Sequence, residues 1–322
     1  MRVIQIHKHG GPDVMKLEDV PTPPPGEGQV LVQVEAAGVN FIDIYQRSGA
    51  YGTELPFSPG LEGAGKIVAL GEGVTGFKTG ERVAWAGVPA SYATHALVPA
   101  DRAIRLPTGV GSREGAAIML QGMTAHYLAR STYPLSPNDT CLVHAAAGGV
   151  GLLLCQIASM CGTKVIGTVS TEEKTRLARE AGAGEVINYA RQDFETEVKR
   201  ITNGRGVQVV YDSVGKDTFE KSLNCLAPRG FMVLYGQSSG AVSPFDPQML
   251  SAKGSLYLTR PTLAAYTKTR ETLQDRANDL FGWIGSGRLK LRIGGTYPLS
   301  EAAQAHRDLA ARRTSGKLLL TP

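Results

Sequence analysis

Near the middle of the chain, the stretch His144-Ala-Ala-Ala-Gly-Gly-Val-Gly151 runs into an apolar segment, Leu152-Leu-Leu-Cys-Gln156. A strand, a tight turn and a helix start in that order form a pyrophosphate site. The first helical amides lack intrahelical acceptors, and the helix dipole favours an anion there. Gly148 and Gly149, followed by Val150, let the backbone approach the phosphates, and Gly151 lets the helix pack closely on the strand. Ala146 stands where the pattern G-x-G-x-x-G has its first glycine, which weakens the match without removing the mechanism. Taken alone, the same glycines would also serve tight packing in a doubly wound domain with a different ligand.

A second chemical position lies about 20 residues further on, where an NAD site carries Asp or Glu for the ribose 2′-hydroxyl. Here the segment is "GTVSTEEK", with Ser170 and Thr171 at the strand tip and no carboxylate there. Ser170 and Lys174 can donate to a 2′-phosphate, so the pattern favours NADPH, provided that Glu172 and Glu173 point away. A plainer reading also stands: Ser170-Thr171 caps the next helix and Lys174 is solvated. The two are compatible. Elsewhere, six histidines show no metal-ligand spacing, and the four cysteines form no Cys-x-x-Cys pair, which suits a reducing cytoplasm.

The elements that must position these residues have two textures. Up to about residue 100, short alternating runs such as "QVLVQVEAAGV" and "GERVAWAG", broken by Gly and Pro, predict an antiparallel barrel or sandwich. Beyond Ser112, strands and helices alternate, which predicts a parallel, doubly wound sheet. Its strands would be "TCLVHA", "KVIGTV", "EVINY", "VQVVYDSV", "FMVLYG" and "SLYLTR". After Arg260 come a long amphipathic helix, "YTKTRETLQDRANDLFGWIGSG", a second helix and the strand "GKLLLTP", a tail expected to return to the first domain. The expected division is 1–121 with 261–322 around 122–260. A length of 322 residues, 42% hydrophobic and 20% charged, fits two globular domains. The net charge of +5 is dispersed without aromatic-basic interleaving, which argues against nucleic acid, and no segment reads as a signal peptide or membrane span.

Together with "GVNFIDIYQRSGAY", "PGLEGAGKI", "QGMTAHYL", "VVYDSVGKDT" and "GQSSGAV", these features resemble the medium-chain dehydrogenase/reductase superfamily, and within it the zinc-free quinone oxidoreductases related to zeta-crystallin. The resemblance runs end to end. It implies an α/β protein with a GroES-like antiparallel β-barrel domain and a Rossmann-type doubly wound parallel sheet. Zinc-dependent relatives have Cys, His and Cys where this chain has Asn40, Leu61 and Gln121, a poor donor set, so no metal is expected.

Without a Lewis acid, the resemblance points to hydride transfer from NADPH to an acceptor that is already electrophilic: a quinone, or alternatively an activated alkene such as an enone or a 2-haloacrylate-like acid. It places Asn40, Tyr45 and Tyr51 near the nicotinamide. There a tyrosine hydroxyl would donate to the acceptor, unless both tyrosines only pack the cleft wall. By the same resemblance the cofactor would touch Thr124, Gly148, Gly149, Val150, Ser170, Lys174, Tyr189, Ser213, Gly236, Gln237, Ser238 and Lys317. Tyr189 would stack on adenine, or else be a buried strand end. A homodimer is also implied, with "SLYLTR" as the candidate edge.

Overall fold

The computed structural model describes residues 1–322. Contacts divide the chain into two compact units, Met1–Met123 with Thr267–Pro322, and Thr124–Tyr266. No helix is long and apolar enough to cross a membrane.

In the first unit, β1 (Arg2–Ile6) and β2 (Met15–Asp19) pair as an antiparallel ribbon. The main sheet is built from β3 (Gln29–Val39), β4 (Glu62–Leu70), β5 (Arg82–Ala86), β6 (His95–Pro99), β7 (Ile104–Arg105), β14 (Ile293–Pro298) and β15 (Lys317–Thr321). Its order is β14-β15-β3-β4-β5-β7, with β6 also on β3. The alternation read in the sequence gives antiparallel pairs throughout that segment, but β14 and β15 run parallel. A parallel pair needs a crossover, and the helix Ala302–Ala310 supplies it. Strand β3 is the axis: β6 lies opposite Gln29–Gln33, and β15 opposite Ala37–Val39. A continuous core runs from Ile4 and Ile6 through Val32, Ile67, Trp85 and Tyr92 to Leu318 and Leu320.

The second unit contains β8 (Thr140–Val143), β9 (Lys164–Val169), β10 (Glu185–Asn188), β11 (Val207–Asp212), β12 (Leu226–Leu234) and β13 (Tyr257–Thr259). All five pairings are parallel, in the order β10-β9-β8-β11-β12-β13. Counted within the unit this is 3-2-1-4-5-6, the Rossmann order, whose strand order reverses between β8 and β11. Residues 165–169 of β9 are all buried, as expected for an inner strand covered by helices on both faces.

The amphipathic helix read from Tyr266 begins four residues later, at Arg270, and runs unbroken to Gly285; a short helix, Leu263–Tyr266, precedes it. Thr269 starts the longer helix by accepting the Thr272 amide on its hydroxyl, so a capping residue inside the periodic pattern sets where it begins.

Candidate functional site

In the second unit, the carboxyl ends of the strands gather the residues picked from the sequence. His144 follows β8, Ser170 follows β9, Tyr189 follows β10, Ser213 follows β11, and Gly236–Ser238 lie just past β12. Ligands of open α/β sheets bind at that edge, beside the point where strand order reverses.

The turn after β8 leads into the helix Gly149–Met160, capped by Gly148 with no side-chain bond to its first amides. The helices Glu172–Glu180 and Phe194–Ile201, by contrast, are capped by the side chains of Thr171 and Asp193. The amides of Gly149, Val150 and Gly151 therefore have neither an intrahelical nor a capping acceptor. A Cβ on Gly151 would strike the Ala145 carbonyl and come within 2.8 Å of the Ala146 Cα, so glycine is required for helix and turn to approach. The left-handed residue of the turn is not a glycine but Ala145, at φ 51°, a conformation costing about 1–2 kcal/mol. Ala146, in the place of the first motif glycine, is buried and donates its amide to Thr168 O at 3.0 Å.

Beneath this edge lies a buried polar network. His144 bridges Thr168 Oγ1 and Ser222 Oγ, each at 2.9 Å. Asp212 accepts from the Val214 amide at 2.7 Å, the Gly215 amide at 3.0 Å, Thr218 Oγ1 at 2.7 Å and Ser222 Oγ at 3.2 Å. These bonds fix the Ser213–Gly215 turn. Burial pushes the His144 imidazole below its usual range, with Asp212 opposing the shift.

At the β9 tip, Thr171 is the cap, accepting the Lys174 amide at 3.2 Å. Ser170, just before it, makes no part of that cap. Glu172 turns to Arg191 at 3.0 Å and to Asn188 Nδ2 at 3.4 Å. Tyr189 is 43% exposed, with its amide on Val169 O at 3.0 Å, so its ring is not a buried strand end. Thr124 is buried on the helix Ser112–Tyr127.

The first unit contributes a different construction. The register Ala37 opposite Gly63 sets Glu62 beside Gly38, and Leu318 opposite Val39 sets Lys317 beside Asn40. Three strands thus bring together residues far apart in the chain. Lys317 and Glu62 form an ion pair, with exposures of 3% and 0%. Gly38 makes room for it: a Cβ there would strike Glu62 Oε2 and lie 2.7 Å from Lys317 Nζ. Lys317 also donates to Asn40 Oδ1 at 2.9 Å, and Asn40 Nδ2 donates to Glu62 Oε2 at 3.0 Å and to Gly38 O at 3.3 Å. Gln121 Nε2 donates to the same Asn40 Oδ1 at 3.1 Å, and the Leu120 amide to Glu62 Oε1 at 2.6 Å.

All four hydrogen-bonding positions of the Asn40 amide are taken within the protein. The structure therefore gives Asn40 a positioning part, and Lys317, expected from the resemblance to touch the cofactor, already has two side-chain partners. These residues do not suit zinc. Leu61 offers no donor, the two amides are weak ligands, and the Lys317 ammonium already occupies the acceptors a cation would need.

Asn40 also starts the helix Phe41–Ser48, its amide donating to Asp43 Oδ2 at 2.8 Å. Asp43 is fully buried and accepts from Tyr92 Oη at 2.9 Å; Tyr92 in turn meets His306 Nε2 at 3.0 Å, and His306 Nδ1 meets Arg47 Nη1 at 3.0 Å. Arginine only donates, so His306 accepts on Nδ1 and donates from Nε2 to Tyr92. Burial pushes the Asp43 carboxyl up to about 7, while burial and the Arg47 charge pull His306 down to about 3. On the same helix, Tyr45 packs against Tyr51 with ring centres 5.1 Å apart, and the Tyr51 amide donates to Tyr45 O at 3.1 Å.

Glu62, Asp43, Tyr92 and His306 were not singled out by sequence reasoning. A lone carboxylate at the head of the small-residue run Glu62-Gly-Ala-Gly65, opposite Gly38, is the signal that could have flagged Glu62.

The family model described as alcohol dehydrogenase GroES-like domain matches residues 26–108, and the one described as zinc-binding dehydrogenase matches residues 149–275. A quinone oxidoreductase from Pseudomonas aeruginosa is 48% identical, over 99% of each chain. A 2-haloacrylate reductase from a Burkholderia species is 43% identical, over 98% of each. The crystal structure of Escherichia coli quinone oxidoreductase complexed with NADPH superimposes with a TM-score of 0.98 at 45% identity, covering 100% of both chains.

Proposed function

We infer the activity from one premise: the chain belongs to the quinone oxidoreductases of the medium-chain dehydrogenase/reductase superfamily. It is an oxidoreductase that uses NADPH to reduce a quinone. When bound, the cofactor supplies the hydride. The chain's own residues do the rest: the amides of Gly149–Gly151 hold the pyrophosphate, Ser170 and Lys174 the 2′-phosphate, and the exposed Tyr189 ring the adenine. Turning Glu172 toward Arg191 keeps its charge away from that phosphate. Tyr45 and Tyr51 align the acceptor, and a hydroxyl of the pair donates to its oxygen.

The observation that carries the acceptor class is the Lys317–Glu62–Asn40–Gln121 cluster, an ion pair and two amides in a site with no ligand set for zinc. Alignment and hydrogen bonding suffice for an acceptor that is already electrophilic, which a quinone is. The 2-haloacrylate reductase relative favours activated alkenes as a second reading. A carboxylate substrate would need a cation, and Lys317 is already matched by Glu62, so the quinone comes first. The edge strand β13, with Tyr257 exposed, supports a homodimer; light scattering on the purified protein tests that. The four unpaired cysteines suit a cytoplasmic setting.

The deciding experiment follows NADPH oxidation against a benzoquinone, a set of enones and 2-chloroacrylate. The quinone is expected to give the highest kcat/KM. An enone or haloacrylate exceeding it by about tenfold moves the assignment to alkene reduction, and no turnover of any acceptor removes the reading.

A further inference from the structure

Glu172 opens the helix Glu172–Glu180, two residues beyond Ser170 at the β9 tip. An acid there suits the helix, whose amino end attracts negative charge, but it opposes a phosphate held at the same tip. The structure meets this conflict with a counter-charge from another element. Arg176, one turn along the same helix, is engaged by Glu180 at 2.8 Å. Arg191 comes instead from the turn after β10 and donates to Glu172 Oε1 at 3.0 Å. That turn is built to present it. Asn188, 8% exposed, ends β10 opposite Val169, and the Tyr189 amide on Val169 O ties the turn to the end of β9. Asn188 Oδ1 accepts the Ala190 amide at 3.1 Å, which leaves its Nδ2 to donate to the same Glu172 Oε1 at 3.4 Å. Its backbone carbonyl accepts the amides of Arg191 and Gln192, each at 3.0 Å, and so fixes the chain beneath the guanidinium. Glu172 and Arg191 are 66% and 71% exposed, so their pairing adds little to the stability of the fold. Its consequence is for charge at the β9 and β10 tips, within a Debye length of about 8–10 Å of whatever binds there.

We propose that Arg191 sets the preference for a 2′-phosphate by acting through Glu172: it neutralises and holds aside a carboxylate that would otherwise repel that phosphate. The proposal rests on the reading of Ser170 and Lys174 as the 2′-phosphate site, and all its residues belong to the second unit. Arg191 and Asn188 are positioning residues, and Glu172 is the group they restrain. Losing the guanidinium leaves a full negative charge beside a phosphate that itself carries nearly two.

The test is a binding measurement on the full-length protein, without turnover. Dissociation constants are measured at low ionic strength for adenosine 2′,5′-bisphosphate and for 5′-AMP, which lacks only the 2′-phosphate. Wild type, Arg191→Gln and the double variant Arg191→Gln/Glu172→Gln are compared. Wild type should favour the bisphosphate by about tenfold or more. Arg191→Gln should bind the bisphosphate about fivefold more weakly than wild type, with 5′-AMP unchanged, and the double variant should return to within about twofold of wild type. The proposal is overturned if Arg191→Gln binds the bisphosphate as wild type does, or if it weakens both ligands equally. It is also overturned if the double variant stays as weak as the single one, which would mean that Arg191 bonds the phosphate itself. Wild type that does not distinguish the two ligands would instead refute the underlying reading of the β9 tip, and the proposal with it.

Discussion

At the Gly148–Gly151 turn, the first helical amides are left without an acceptor, and no capping side chain covers them. At the Asn40 cluster, by contrast, the side-chain amide of Asn40 is fully matched within the protein, around a buried ion pair. The turn is local, assembled from residues adjacent in sequence, and it fails only if helix and strand are pushed apart. The cluster spans separations of 22, 81, 255 and 277 residues, and depends on three strands holding register around Gly38. Substitution should therefore damage the two regions differently: steric change breaks the first, and unbalanced charge breaks the second.

The largest effect is expected from Lys317→Met, which strands Glu62 in the interior and should destabilise the protein by about 3–5 kcal/mol in chemical denaturation. Adding Glu62→Gln should recover most of that loss; if the double variant is no more stable than the single, the ion pair is not what organises the cluster. Next, Gly151→Ala should cost about 1–3 kcal/mol and weaken NADPH binding, since its Cβ meets backbone atoms that cannot turn aside. Wild-type stability and affinity in that variant would mean the turn has slack. A smaller change is expected from Lys174→Ala: about tenfold weaker NADPH binding with NADH unaffected, read by fluorescence titration. Equal losses for both cofactors would place Lys174 away from the 2′-phosphate.

The smallest effect is a cancellation. Asp43, raised from 3.8 to about 7, holds a proton in the folded state that the unfolded chain releases, so its contribution to stability declines as pH rises through that window. His306, lowered from 6.5 to about 3, is neutral in the fold while the unfolded chain is protonated, so its contribution grows as pH rises from about 3 to 6.5. Joined through Tyr92, the two oppose each other between about pH 4 and 6.5, while the buried His144, also lowered, adds to the rise. Relative to wild type, the stability of Asp43→Asn should climb more steeply with pH across that range, and that of His306→Gln less steeply. A slope equal to that of wild type in both variants would contradict the shifts.

The same contrast explains what could be read from the chain. Five of the six strands of the second unit fall within the segments marked by their apolar runs, whereas β12 begins at Leu226, five residues before its run, where the sequence Leu-Ala-Pro-Arg-Gly is not apolar enough to mark a strand. The turn proposed for the phosphates was visible because its glycines are neighbours in the sequence. The partnership of Glu62 and Lys317 was not, since it follows from the pairing of β15 and β4 on either side of β3, which no local pattern reports. His306 sits in an amphipathic helix, and its burial against Tyr92 and Arg47 is likewise a tertiary fact.

The most direct test of direct hydride transfer at a site organised by an ion pair is a single-turnover experiment. NADPH carrying deuterium at C4 is mixed with a benzoquinone on protein treated with a strong chelator. The expected result is a primary isotope effect on quinone reduction at a rate unchanged by chelation. A rate abolished by the chelator and restored by added zinc, or the absence of an isotope effect even in the chemical step, would contradict it.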